Sequence, residues 1–146
     1  MKRIVVATDG SAGAREALEQ GLELAAELDC EVSVAFVRHA PSGFLGAPYY
    51  QDVVTEEAQH ARAVIADARV YAERFDIEPD YEVLEGDPAE AILDFAEARD
   101  ADLIVVGSRG LGRVAGAVLG SVSKDIVHRA DRPVLVAKAR VAVAAR

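Results

Sequence analysis

Ile4-Val5-Val6-Ala7-Thr8-Asp9-Gly10-Ser11 joins an unbroken apolar run to a short polar turn. Consecutive apolar residues without alternation fit a strand that is covered on both faces. Thr8-Asp9-Gly10 ends the run, and Ser11 supplies a hydroxyl suited to capping a following helix. That helix carries an inner stripe at Ala14, Ala17, Leu18, Gly21, Leu22, Ala25 and Leu28, spaced by threes and fours. A doubly covered strand that feeds an amphipathic helix is the opening half of a parallel-sheet unit.

The same alternation runs to the end of the chain. Val32 to Val37 forms the second strand, and the Pro/Gly-rich stretch Pro41 to Pro48 reads as a mobile loop. The next helix turns Val54, Ala58, Ala61, Ile65, Ala68, Ala72 and Phe75 inward. Tyr81-Glu82-Val83-Leu84 is shorter and less apolar, as befits a strand near a sheet edge. In Gly86-Asp87-Pro88-Ala89-Glu90, Asp87 caps a helix, Pro88 occupies a position where its missing N–H costs nothing, and Glu90 completes a capping box. Leu103-Ile104-Val105-Val106 is the fourth strand and runs into the glycine-rich segment from Gly107 to Gly120. A helix with Val122, Ile126 and Val127 inward follows, then the strand Pro133-Val134-Leu135-Val136-Ala137.

This pattern predicts an α/β fold: an open, doubly wound five-stranded parallel sheet with helices on both faces. Polar and glycine residues concentrate after strands one and four, at Thr8 to Ser11 and Gly107 to Gly110. With those strands as neighbours the order is 3-2-1-4-5, and both turns face one crevice. Ligands of such sheets sit beyond the carboxyl ends of the strands, where the winding reverses.

A chain of 146 residues, 51% apolar, has material for one domain spanning 1–146, with 138–146 as a C-terminal tail. No apolar run reaches bilayer length, and Met1-Lys2-Arg3-Ile4 enters a strand without a signal-peptide region, so a cytoplasmic location is expected. The net charge of −9 argues against non-specific nucleic-acid binding and against docking on anionic lipid. Lys2, Lys124 and Lys138 are the lysines, and arginine supplies the rest of the basic residues. Such a surface suits a high-salt cytoplasm, and a GC-rich genome would produce the same bias. Cys30 is the single cysteine, so no internal disulfide forms. It reads as a small filler between a helix and a strand rather than as a reactive thiol.

Chemistry concentrates in Gly107-Ser108-Arg109-Gly110-Leu111-Gly112-Arg113 and in Leu119-Gly120-Ser121-Val122-Ser123. Glycines at a strand end let the backbone turn sharply and approach a ligand. Gly120-Ser121 opens a helix, whose unpaired N–H groups and positive dipole end favour an anion. Ser121 and Ser123 add hydroxyls, and Arg109 or Arg113 lies close by in sequence. A phosphate chain between Gly110 and Gly120 fits these features better than a plain tight loop does.

Gly107-x2-Gly110-x9-Gly120-Ser121 resembles the ATP-binding pattern of the universal stress protein family at every fixed position. Ile4 to Ser11 is similar to that family's first strand and turn, Gly86-Asp87-Pro88-Ala89 to its third-helix start, and Pro133 to Val136 to its last strand. The resemblance covers nearly the whole chain and implies an adenine nucleotide alpha hydrolase-like fold. It implies that Ala7, Thr8 and Asp9 line the adenine and ribose end, with the Val37 backbone at the adenine edge. Val106 and Gly107 would floor the pocket, and Arg109 would flank it. Gly110, Gly120, Ser121, Val122 and Ser123 would hold the phosphates. It further implies a homodimer paired through the last strands. A divalent ion, Mg2+ or Mn2+, would be expected on the phosphates of bound ATP, although no carboxylate pair demands one.

Rival patterns fit less well. Gly110-x-Gly112-x-x-Ala115 matches a relaxed dinucleotide fingerprint, but it follows the fourth strand instead of the first. Gly107 to Gly112 has P-loop glycine spacing, yet Arg113-Val114 stands where Lys-Ser/Thr is required. Asp9 has no second acid beside it of the kind a receiver domain needs. It could bind a ribose hydroxyl, orient a water or cap the turn, and nucleotide contact is favoured over a catalytic base. His39, His60 and His128 pair with no obvious Ser or Cys, so surface or packing roles are favoured, and no catalytic residue is assigned. Tyr49 and Tyr50 either cover a ligand or rest on the second helix, and Glu16-Glu19-Glu23-Glu27 reads as a solvated face. The expected function is an ATP-binding regulatory or stress-response module with at most slow hydrolysis. A nucleotide-hydrolysing or nucleotidyl-transferring enzyme and a nucleotide-free protein-interaction domain are the competing classes.

Overall fold

The computed structural model describes residues 1–38, 47–108 and 119–138, with the backbone alone described at 47–51, 53 and 54. Along the chain run β1 (Arg3–Thr8), α1 (Ala12–Leu28), β2 (Glu31–Arg38), α2 (Ala47–Glu73) and β3 (Asp80–Glu85), then α3 (Pro88–Ala98), β4 (Leu103–Gly107), α4 (Ser121–Arg129) and β5 (Val134–Ala137). All pairings are parallel, in the order β3-β2-β1-β4-β5. The sequence order 3-2-1-4-5 is thus the observed one.

The apolar runs sit where double coverage requires them. Ile4, Val5, Val6, Ile104 and Val105 are completely buried. Ile4, Val6, Val34 and Val105 pack with Leu18, Leu22, Ala68 and Ala72 of α1 and α2 on one face. Val5, Ala7, Ala35, Ile104 and Val106 pack with Ile92, Phe95 and Ala96 of α3 and Ile126 of α4 on the other. Each large aliphatic side chain buried this way contributes about 1.5–3 kcal/mol. β3 is half-buried at most and forms one edge of the sheet, as its weaker pattern suggested.

Ser11 caps α1, its Oγ accepting from the Ala14 N–H at 3.2 Å. Asp87 caps α3 by accepting from the Glu90 N–H at 3.0 Å, with Pro88 in the first turn. Cys30, between α1 and β2 in the chain, is buried in the core cluster under α1 and α2, as a filler would be.

Four local expectations need correction. Leu28, in the last turn of α1, is 48% exposed, so the buried stripe ends at Ala25. α2 begins at Ala47, inside the stretch read as a loop, since a proline is tolerated in a first turn. Phe75 lies beyond the end of α2, and Val64 joins the buried side of that helix. Val127 is 42% exposed, whereas Ser123 and Ile126 are the buried residues of α4. The inner stripe of α4 therefore runs through a serine.

Side chains also tie the connections. Asp102 Oδ2 accepts from the Lys2 N–H at 2.6 Å and the Arg3 N–H at 3.0 Å, fixing the start of β1 beside the start of β4. Those two donors hold the exposed Asp102 carboxyl below its ordinary range. Arg132 Nη1 donates to the Ala96 carbonyl at 3.0 Å and the Ala101 carbonyl at 2.9 Å, closing the α3–β4 connection. No helix among the described residues is long and apolar enough to cross a membrane.

Candidate functional site

The winding reverses between β1 and β4, so the turns that follow them open onto the same end of the sheet. Val6 is level with Val105, which brings Thr8 level with Gly107. After β1 the chain makes a tight polar turn. Thr8 Oγ1 accepts from the Gly10 N–H at 3.2 Å, and Asp9 Oδ1 accepts from the Ser11 N–H at 2.8 Å. Gly10 has φ of +81°, and a Cβ there would lie 2.8 Å from Val64 Cγ2 of α2. Asp9 thus has a turn-forming role in hand, and its side chain remains exposed to solvent.

Gly107 is the meeting point of the site. A Cβ added to it would lie 2.6 Å from the Gly13 carbonyl oxygen and 3.1 Å from the Ala14 nitrogen. The end of β4 therefore touches the first turn of α1 directly, backbone to backbone. The Gly107 carbonyl accepts a hydrogen bond from Ser123 Oγ in the first turn of α4. Ser108 donates its N–H to the Ala137 carbonyl at 2.9 Å, and the Gly120 N–H donates to the Ser108 carbonyl at 2.7 Å. Both helix N-termini are anchored within one contact of the same glycine.

Gly120 is the N-cap of α4, extended at φ −68° and ψ 163°, with no side-chain cap. The first helical bond runs from the Lys124 N–H to the Gly120 carbonyl at 3.0 Å. The N–H groups of Ser121, Val122 and Ser123 precede that bond and point out of the helix end, the usual orphan donors of an N-terminus. Ser121 is exposed and Val122 half-buried. Ser123 is 7% exposed, and its hydroxyl proton is already given to Gly107. What Ser123 offers outward is its N–H.

Beneath this polar rim lies an apolar floor. Ala7 and Val106 are buried on the face covered by α3 and α4, and half-buried Val37 and Val122 pack against the same cluster. Ala7, Thr8, Asp9, Val37, Val106, Gly107, Gly120, Ser121, Val122 and Ser123 accordingly share the carboxyl end of the sheet. Arg109 and Gly110 lie outside the described residues, as do Gly112, Arg113, Ala115 and His39. Tyr49 and Tyr50 belong to the backbone of α2.

His60 meets Phe36 edge to face at 5.5 Å, a packing role, and His128 is exposed in the last turn of α4. Among the described residues no group of three or more His, Cys, Asp and Glu is placed to hold a metal ion. Sequence reasoning passed over the Arg38–Glu85 ion pair at the ends of β2 and β3, beside Val37. It also passed over Gly13, whose backbone the end of β4 abuts. Neither carries a recognisable pattern, because each gains meaning from a partner far along the chain.

The sequence profile of the Universal stress protein family matches residues 1–138. A universal stress protein of Methanocaldococcus jannaschii is 36% identical over 143 residues, covering 94% of this chain and 82% of its own. A universal stress protein from Archaeoglobus fulgidus, solved in complex with dAMP, is similar with TM-score 0.70 and 28% identity over 94% of this chain and 98% of that one. A universal stress protein solved in complex with cAMP gives TM-score 0.74 and 27% identity, over 92% of this chain and 95% of that one.

Proposed function

Because the chain belongs to the universal stress protein family, we propose that it is an adenine-nucleotide-binding regulatory module whose ligand is ATP. The observation that carries this reading is the convergence of the first turns of α1 and α4 on Gly107. Two helix N-termini beside one another concentrate unpaired amide donors and positive dipole ends where an anion would lie. Relatives solved with dAMP and cAMP support an adenine nucleotide as the occupant.

In this reading Ala7, Thr8 and Asp9 line the adenine and ribose, the Val37 backbone meets the adenine edge, and Val106 and Gly107 form the floor. Arg109 flanks the pocket, and Gly110, Gly120, Ser121, Val122 and Ser123 hold the phosphates, the last three through their N–H groups, with Mg2+ or Mn2+ bound to ATP itself. The Asp9 carboxylate supports its own turn, so hydrolysis is slow and catalysis is not the protein's task. Occupancy shifts the equilibrium between two forms by its differential affinity for them, and partners read the favoured form. The working unit is a single domain in the cytoplasm, paired into a homodimer through β5.

The test is direct. Denatured purified protein releases adenine nucleotide, and ATP at about 100 times its dissociation constant stabilises the fold by about 2.7 kcal/mol. Gly120→Val abolishes the thermal shift and leaves the nucleotide-free protein folded. A Gly120→Val protein that still responds fully to ATP overturns the placement of the phosphates. Rapid single-turnover hydrolysis abolished by Asp9→Asn would replace the module with an enzyme.

A further inference from the structure

We infer that Ser123 is a positioning residue: its hydroxyl latches the first turn of α4 to the end of β4 and so aims the helix's free amides. The inference rests on the nucleotide reading above, but it changes the part that Ser123 plays in it. A serine that binds phosphate through its side chain must keep its hydroxyl proton for the ligand. Here the side chain is buried, with 7% of the residue exposed, and the Ser123 O–H donates to the Gly107 carbonyl.

The surroundings explain why such a latch is needed. Gly120 caps α4 without any side-chain bond, so nothing at the cap itself sets the direction of the first turn. The chain enters the helix from a point pinned by the Gly120 N–H to the Ser108 carbonyl at 2.7 Å. One fixed point allows the helix end to swivel. A second bond, one turn further in and to the adjacent residue of β4, removes that freedom. Ser123 and Ile126 together form the buried side of α4, so the latch is made where the helix already packs. The amides of Ser121 and Val122, directed out of the helix end, are then held by that anchor at a set angle to β4. Gly107 cannot yield in turn, because it is wedged against the Gly13 backbone of α1. The latch therefore sets the first turns of both helices relative to each other before any ligand arrives.

Three variants and two readouts test this. Ser123→Ala removes the hydroxyl, Ser123→Thr keeps it, and Ser123→Val matches threonine in shape without it. Amide hydrogen exchange at Gly120 and Lys124 is measured in the nucleotide-free protein, and ATP affinity is measured by calorimetry. Loss of a buried hydrogen bond that leaves a carbonyl unpaired corresponds to about a fivefold to tenfold change in an equilibrium. Ser123→Ala and Ser123→Val are expected to speed exchange at both amides and weaken ATP by that factor, while Ser123→Thr keeps both near wild type. Weakened ATP binding with unchanged exchange means a direct ligand contact and overturns the inference. Faster exchange with unchanged ATP affinity overturns it as well, as does Ser123→Thr behaving like Ser123→Ala. If wild-type protein binds no nucleotide, the functional reading fails by itself. The exchange of the three variants then still decides whether the latch exists.

Discussion

Replacing Gly107 with alanine tests the contact on which the site is built. The new methyl carbon would lie 2.6 Å from the Gly13 carbonyl oxygen, 2.8 Å from its carbonyl carbon and 3.1 Å from the Ala14 nitrogen. Normal contact begins near 3.4 Å, so the shortest of these is deficient by about 0.8 Å. All three atoms are backbone, and no side chain can swing aside to relieve them. The first turn of α1 must instead move away from β4. Overpacking of this kind costs about 1–3 kcal/mol, and rigid backbone on both sides places Gly107→Ala in the upper half of that range. For a domain of this size, that lowers Tm by about 6–9 °C. Urea denaturation followed by far-UV circular dichroism measures it, with a thermal melt alongside. ATP affinity is expected to fall too, because the two helix ends are displaced from one another. Gly86→Ala is the comparison: its φ is +110° but no atom lies within 4 Å, so it costs about 1 kcal/mol of backbone strain and leaves the site intact. If Gly107→Ala is no less stable than Gly86→Ala and binds ATP as well as the wild type, β4 does not abut α1 as described.

Two further outcomes concern the ties between elements. The Asp102 carboxyl has a folded-state pKa lowered by the Lys2 and Arg3 N–H donors. Its stabilisation is therefore present above the ordinary carboxylate pKa of about 4 and is lost as pH falls through the lower folded value. Asp102→Asn is expected to flatten that part of the acid limb when urea midpoints are compared across pH, and an unchanged acid limb would contradict it. Arg132→Ala strips the Ala96 and Ala101 carbonyls of their shared donor and is expected to cost about 2 kcal/mol in denaturant melts. Arg132→Lys recovers little of it, since an ammonium on a flexible stem lacks the fixed guanidinium fork.

The strands and their order were legible because the central ones are covered on both sides and admit almost nothing but aliphatic residues. Ile4 to Ala7 and Leu103 to Val106 have that character, and the polar turns after them marked where the winding reverses. The stripe of α1 was legible as far as Ala25, and Leu28 has the right spacing but is left exposed at the helix end. The burial of Ser123 and its bond to the Gly107 carbonyl were not legible in the sequence. A hydropathy pattern treats serine as outward-facing, and only the nearby Gly107 carbonyl makes its burial affordable. Gly107 also makes room for the Gly13 backbone, which its place in a glycine-rich pattern does not reveal. Asp102 and Arg132 were silent in the sequence because their partners are main-chain atoms of other segments. A motif records residue types at fixed spacing, and bonds of that kind leave no such trace.

The strand order has a consequence for how the chain comes together. β1 and β4 lie side by side at the centre, yet the bonds joining their starts connect residues a hundred positions apart. As the polypeptide leaves the ribosome, β1, β2 and β3 can associate early, but the other flank of β1 stays bare until β4 has been made. That bare flank is a row of unpaired backbone N–H and C=O groups, and a wide loop must close before β4 pairs with it, which slows folding and invites mispairing with other chains. The last third of the protein thus seals the half-sheet as well as bringing Gly107 and Gly120 to its carboxyl end.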